Sequence, residues 1–363
     1  MSNSPANNPT FDPSGFVIGF VQAFLQSTGT PGLAVALIYD GQQYFYNFGV
    51  ENIVSNDPVS KETIFELGSV TKVFTAIMAA FKMSSLDWSA PITNFLPGPF
   101  GLSPGLQDVT ISQLVTHTSG MPEDAAGKSA NQLFNDDPPS TRLLKWWHNF
   151  VAPAGPGPCW QYSNIAFVTL GYIVAGSNPN QYNGLLADII TSQLHMTQTG
   201  SNPAGSVATG YIGNANQNTR APGTASDLKS TSQDMMLFLE ACINPAKQPR
   251  PRALGNVILA TQTPVFTTPI YDCSTGELIT FNMGAAWQIS QVQSNGKTFS
   301  LIWKDGATSV GGFRSWIGVV SKKMGIVLLA NKFLTGTVKT PAQSFDGTGR
   351  SILQALMGID VPS

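Results

Sequence analysis

The chain has 363 residues, 42% hydrophobic and 11% charged, with a formal net charge of −2. That length buries a sizeable core in one large domain or two entangled ones. A near-neutral chain with no Lys/Arg run is excluded as a basic nucleic-acid binder, and its ordinary apolar content excludes disorder. No stretch of about 18 apolar residues is present to cross a membrane as a helix.

Residues 1–13 are polar and rich in Asn and Pro, without the basic and apolar regions of a signal peptide. The expectation is a periplasmic or secreted protein after signal removal, or a cytoplasmic one if the chain is complete. A helix is predicted over 14–27, opened by Asp12-Pro13-Ser14, with an apolar stripe through Phe16, Val17, Phe20, Phe24 and Leu25. Pro31-Gly32 breaks the chain. Residues 33–39 are β-rich, Asp40-Gly41 is a hairpin turn signal, and 43–48 alternate aromatic with polar side chains.

Between Ser69 and about Pro245 the periodicity is mostly helical, with Pro/Gly-rich loops. The segment 73–81 is apolar nearly all round, the mark of a buried helix. Helices are also predicted over 109–116, 130–150, 163–175 and 184–193, and over 232–241 behind a Thr231/Asp234 capping box. Beyond them, 285–292, 298–304, 313–320 and 325–331 read as four strands, turned at Asn295-Gly296 and at 321–324, and a helix over 344–357 closes the chain. Strands at both ends with helices between predict an α/β (α+β) protein. An antiparallel sheet from both termini (14–68 and 276–363) would carry an inserted, mostly helical domain (69–275), with an active site where they meet. The three cysteines, Cys159, Cys242 and Cys273, form no disulfide framework and no zinc spacing. Free buried cysteines are the expectation, and a single Cys242–Cys273 bridge is the alternative.

Three short motifs carry possible chemistry. Ser69 and Lys72 lie three apart at the start of the buried helix, on one face and beside its positive end. A lysine among apolar neighbours is costly unless paired or used, and once desolvated it loses its proton early enough to act as a base. The bland alternative is a capping serine with a surface lysine. Tyr162 and Asn164 follow in Trp160-Gln161-Tyr162-Ser163-Asn164. Tyr162 could carry a proton if cations lower its pKa, and Asn164 can accept from Lys72 while donating to a substrate carbonyl. Taken alone, this stretch reads as an aromatic anchor and a helix cap. Lys304-Asp305-Gly306-Ala307 ends a strand, and the N–H of Ala307 could join that of Ser69 as an oxyanion hole. Alone it reads as a β-turn.

Other signals carry less. Gly101-Leu102-Ser103-Pro104-Gly105 matches a nucleophile elbow in form, but Pro104 has no N–H for the oxyanion hole, so it reads as a surface loop. The scattered His117, His148 and His195 offer no ligand spacing for a metallohydrolase, and His117 reads as structural. Met235-Met236 and Trp146-Trp147 read as core packing.

Together and in this order, the three motifs resemble the penicillin-recognising serine hydrolases. The branch is that of class C β-lactamases, low-molecular-weight D-alanyl-D-alanine peptidases and family VIII carboxylesterases. The resemblance also takes in Pro31-Gly32-Leu33-Ala34-Val35-Ala36, Phe65-Glu66-Leu67-Gly68-Ser69, Leu114-Val115-Thr116-His117-Thr118-Ser119-Gly120-Met121-Pro122, Leu228-Lys229-Ser230-Thr231 and Gly325 to Lys332. It implies a β-lactamase/transpeptidase-like fold and a serine hydrolase acting on β-lactams or D-alanyl peptides. Ser69 would form the acyl-enzyme, Lys72 and Tyr162 would share the proton work, and Asn164 would orient the substrate amide. Lys304 would hold Tyr162 in a positive field and face the substrate carboxylate, with Gly306 and Ala307 leaving room along the strand. The implied chemistry uses no metal or organic cofactor, and the implied partner is a small molecule met by a monomer. One departure stands out: the family's Lys-Thr-Gly reads Lys304-Asp305-Gly306, and the following Gly-Gly-Phe comes one residue late. Asp305 would repel a carboxylate and could pair with Lys304; Arg314 would then replace the lost contact. Otherwise the substrate lacks a free carboxylate, as for an esterase or amidase. A third alternative is a penicillin-binding homologue that acylates without turnover.

Overall fold

The computed structural model describes residues 11–83, 88–96, 102–125, 141–151, 157, 159–213, 215–217, 224–245, 252–266, 269–321, 323–334 and 344–358. Helix α1 (Ser14–Thr28) leads into strands β1 (Gly32–Tyr39) and β2 (Gln42–Gly49), joined through Asp40 and Gly41, both at positive φ. Four short strands follow in the middle of the chain: β3 (Phe65–Glu66), β4 (Gly210–Ile212), β5 (Ala215–Gln217) and β6 (Lys229–Ser230). Near the other end run β7 (Asn282–Met283), β8 (Gln288–Ser294), β9 (Lys297–Thr308), β10 (Phe313–Ser321), β11 (Met324–Ala330) and a helix, Phe345–Met357. The terminal strands form one antiparallel sheet in the order β2-β1-β11-β10-β9-β8-β7, and β1 pairs with β11 along Leu33↔Ala330 to Ile38↔Gly325. The predicted union of the two termini is therefore a direct strand pairing.

Burial explains the layers. Strand β1 is buried on both faces. Leu33, Val35 and Leu37 pack with Val17, Val21 and Phe24 of α1 and with Ile352, Leu353 and Leu356 of the C-terminal helix. Ala34, Ala36 and Ile38 face the second core, shared with the helical part. Each fully buried aliphatic side chain contributes about 1.5–3 kcal/mol, so β1 ties both layers together. In α1 the predicted stripe is rotated: Val21 is buried while Phe16 is exposed. The first predicted C-terminal strand starts late, at Gln288, because Ala286 has φ +68° and Ala285 N–H donates to Thr261.

The helical part includes α2 (Thr71–Lys82), α3 (Ile111–Val115), α4 (Thr141–Asn149), α5 (Asn164–Val174), α6 (Tyr182–Leu186), α7 (Ser232–Ile243) and α8 (Arg252–Thr261). Within it β3 pairs with β6 and β4 with β5. The predicted 130–150 helix is seen from Thr141, and 126–140 lie outside the described residues. The predicted 184–193 helix is α6 followed by one π-helical turn, Ala187–Thr191. The capping box of α7 is half formed. Thr231 accepts from Asp234 N–H, but the short Asp234 carboxylate turns to Gln198 N–H and Thr199 instead.

The cysteine expectation is corrected. Cys159 is bonded to Cys273, while Cys242 is free and buried on α7. The backbone decides this: Trp160 N–H donates to Tyr271 and Cys273 N–H to Trp160, both at 2.8 Å, so the two segments run side by side. The Ser103 segment is corrected too. Ser103 is buried and precedes a single 3₁₀ turn, Pro104–Leu106, with its N–H bonded to Trp147. Met235, Met236 and Trp147 are buried in the core as expected.

Candidate active site

Ser69 sits in a 3₁₀ turn, Gly68–Val70, that runs into α2. The turn is pinned from two sides: Leu67 N–H donates to Leu228, and the Leu67 carbonyl accepts from Ser315 Oγ at 2.6 Å. It lies against β9 with no room to spare. A Cβ on Gly68, whose φ is +50°, would sit 2.6 Å from Ala307 N, and a Cβ on Gly306 would sit 2.1 Å from the Leu67 carbonyl oxygen. Glycine at both positions brings the backbones of Ser69 and Ala307 together. The predicted strand end at Lys304 is corrected: β9 continues to Thr308, held by β10 through Phe313↔Thr308. Its pairing with β8 stops at Trp303, so 304–308 present an open edge to the Ser69 turn.

Three side chains converge on one another. Tyr162 Oη donates to Ser69 Oγ at 2.5 Å, and Lys72 Nζ lies 3.1 Å from the same oxygen. Lys72 also reaches Asn164 Oδ1 at 2.6 Å and the Ala225 carbonyl at 2.9 Å. Lys72 is fully buried. Burial, and then the nearby charge of Lys304, holds its amine well below the ordinary lysine range, against the opposing pull of Asp124, Asp305 and Glu123. A neutral amine has two N–H donors and one lone pair. With Asn164 and Ala225 occupying two donors, loss of one proton would turn the lone pair to the Ser69 hydroxyl.

Tyr162 departs from the expected lowered pKa. Burial pushes its phenol far up, the bond to Ser69 opposes this, and Asp305, Glu123 and Asp124 add to the rise. Lys72 and Lys304 lie 4.9 and 5.5 Å from its ring centre without reversing that outcome. Tyr162 is therefore a neutral O–H donor. His117 packs on its ring at 4.5 Å and accepts from Ser163 N–H at Nδ1. Burial, with Lys72 and Lys304 nearby, keeps His117 neutral, as that acceptor role requires. The expected structural role of His117 thus has a definite object, the Tyr162 ring. Ser163 caps α5, accepting from Ala166 N–H and donating to the Pro122 carbonyl.

Lys304 and Asp305 form an ion pair at 2.9 Å, with side chains 4% and 41% exposed. Desolvation raises the Asp305 carboxyl, but Lys304 and then Arg314 outweigh it and hold it below its usual range. Arg314 itself stacks over Phe333 at 5.3 Å. Asn164, as expected, accepts from Lys72, while its Nδ2 points to Asp124 at 3.5 Å. Glu123, Asp124 and the Ala225 carbonyl were not found by sequence reasoning. The only available signal was the pair of acids directly after the Met121-Pro122 stretch.

Fold and site together define a serine hydrolase. The family model described as Beta-lactamase matches residues 17–344, and the chain belongs to that family. Among similar proteins, a β-lactamase of Yersinia enterocolitica is 26% identical over 92% of this chain and 88% of its own. One of Pseudomonas fluorescens is 26% identical over 86% and 91%. The solved structure of a β-lactamase/D-alanine carboxypeptidase from Pseudomonas syringae matches with a TM-score of 0.78, covering 96% of this chain and 99% of that one. At 22% identity that likeness shows the shared fold.

Proposed function

We propose that this enzyme acylates Ser69 with β-lactams or D-alanyl peptides and releases the acyl group to water. The observation that carries this is the meeting of Lys72 Nζ and Tyr162 Oη at Ser69 Oγ. In the proposed reaction Lys72 takes the hydroxyl proton as Ser69 Oγ bonds to the acyl carbon. Tyr162 gives its proton to the leaving group as that bond breaks, and Lys72 restores the proton to Tyr162. The N–H groups of Ser69 and Ala307 would hold the oxyanion, and Asn164 the substrate amide. Water then cleaves the ester and regenerates Ser69.

A second reading, an esterase or amidase for acyl compounds without a free carboxylate, is favoured by the Lys304–Asp305 pair. The reading also takes the enzyme to act as a monomer. The site between α2 and β9 also supports the division into a sheet unit (14–68 and 276–363) and a helical unit (69–275). The Cys159–Cys273 bridge supports a periplasmic or secreted enzyme, because disulfides persist in oxidising compartments.

Intact-protein mass spectrometry after mixing with a penicillin tests the reading, with Ser69→Ala alongside. An adduct that forms and decays supports turnover, and one that persists indicates a penicillin-binding protein. Turnover of p-nitrophenyl esters with no penicillin adduct would select the esterase. Full activity in Ser69→Ala would overturn the mechanism.

A further inference from the structure

We propose that Asp305 is a specificity-determining residue that makes this centre select acyl substrates bearing a positively charged group, an ammonium, where a carboxylate would otherwise be bound. The inference rests on the second reading above, an esterase or amidase for acyl compounds without a free carboxylate, and names its substrate class. It starts from the asymmetry of the Lys304–Asp305 pair. The ammonium is the buried member, turned toward the Tyr162 ring, and the carboxylate is the half-buried one that solvent reaches. Residues 304–308 form the open edge of β9 beside Ser69, so a substrate lying along that edge meets Asp305 before it meets Lys304.

The other side of Ser69 carries the same sign. Asn164 binds Lys72 through its oxygen and turns its amide toward Asp124. Glu123 and Asp124 are both exposed, and the Glu123 carbonyl accepts from Asn164 N–H. The cations nearby are not offered to a ligand in the same way. Lys72 is fully buried, Lys304 is 4% exposed, and the half-buried Arg314, stacked over Phe333, directs its charge at Asp305. A substrate carboxylate therefore approaches negative charge on both sides, while an ammonium finds Asp305 ready to accept from it. At ~5 Å and an effective dielectric of ~20, one like-charge contact costs about three hundredfold in affinity. Pairing with Lys304 and the charge of Arg314 cancel part of this, so a discrimination of about tenfold is expected. The reaction itself is unchanged. The acyl carbon passes from its alkoxide or amine leaving group to Ser69 Oγ and then to water, and the ammonium takes no part in bond breaking.

Three p-nitrophenyl esters of similar length test this: gamma-aminobutyrate, valerate and hemiglutarate, which are cationic, neutral and anionic. Their kcat/KM values are measured at low and high salt with the wild type, Asp305→Asn and Asp305→Thr, and thermal melts verify the fold of each variant. The expected order in the wild type is cationic, neutral, anionic, with about tenfold between the extremes, compressed by salt. The cationic-to-anionic ratio should fall about tenfold in both variants. Wild type that prefers the anionic ester, or shows no charge preference, overturns the proposal without recourse to any variant. A ratio unchanged in Asp305→Asn overturns the assignment to this residue. Failure of the underlying reading looks different: none of the esters would be turned over and no adduct would form on Ser69.

Discussion

Opening the Cys159–Cys273 bridge tests how the Tyr162 segment is held. The bridge spans 114 residues of chain and enters three residues before Tyr162. A closed loop of that size removes about 16 cal/mol/K of chain entropy from the unfolded state, or about 5 kcal/mol at 25 °C. Unfolding a chain of 363 residues carries an entropy of about 760 cal/mol/K. Dividing one by the other predicts a loss of about 6 °C in Tm for the Cys159→Ala/Cys273→Ala double variant. The same shift should appear on reducing the wild type. Activity should fall too, because Trp160 N–H and Cys273 N–H lock the two segments through the Tyr271 and Trp160 carbonyls. Melts followed by circular dichroism with and without reductant, together with kcat/KM, measure both effects. A shift under about 1 °C, or a Tm that falls equally on reduction of the double variant, would refute the loop-entropy argument.

Tyr162→Phe should lose about 10²- to 10⁴-fold in kcat/KM, because it removes the O–H that relays the proton; stopped-flow acylation kinetics would check this. Lys72→Met should be inactive yet more stable than the wild type near neutral pH. Burial lowers the Lys72 pKa on folding, so the unfolded chain binds more protons at pH values below ~10.4. Wild-type stability therefore rises with pH between the depressed folded pKa and ~10.4, and the Met variant should lack this contribution in urea melts across that range. Equal pH slopes would contradict the assignment. Gly306→Ala should cost about 1–3 kcal/mol and suppress acylation, since its Cβ would lie 2.1 Å from the Leu67 carbonyl and 2.3 Å from Ser315 Oγ. A fully active, equally stable alanine variant would show that β9 and the Ser69 turn need not approach so closely.

Features decided by near neighbours were legible before any fold was in hand. The i, i+3 spacing of Ser69 and Lys72 on an apolar helix, the β-rich run along β1 and the Asn295-Gly296 turn depend on the chain's own local pattern. The Lys304–Asp305 contact joins adjacent residues, and it too was foreseen. Other features depended on partners far away in sequence. The helical stripe of α1 was misjudged by part of a turn because its face is set by β1 and the C-terminal helix. Strand β9 outran its local turn signal because β10 and the Ser69 turn hold Asp305 to Thr308 in place.

The sequence by itself determined which groups are available for chemistry and the order in which they come: an amine three residues after a serine, then a phenol, an amide and a second lysine with an unusual carboxylate beside it. Only the tertiary structure decided their charge states and contacts. It stripped water from Lys72 and set its amine against Ser69, Asn164 and Ala225. It kept Tyr162 protonated, and it brought Glu123 and Asp124 to the far side of Asn164. It also chose Cys159 over the nearer Cys242 as the partner of Cys273. The physical reason is common to all of these. Desolvation and long-range pairing are set by the whole packed chain, and the entropy of closing a loop grows too slowly with its length for sequence distance to select the partner.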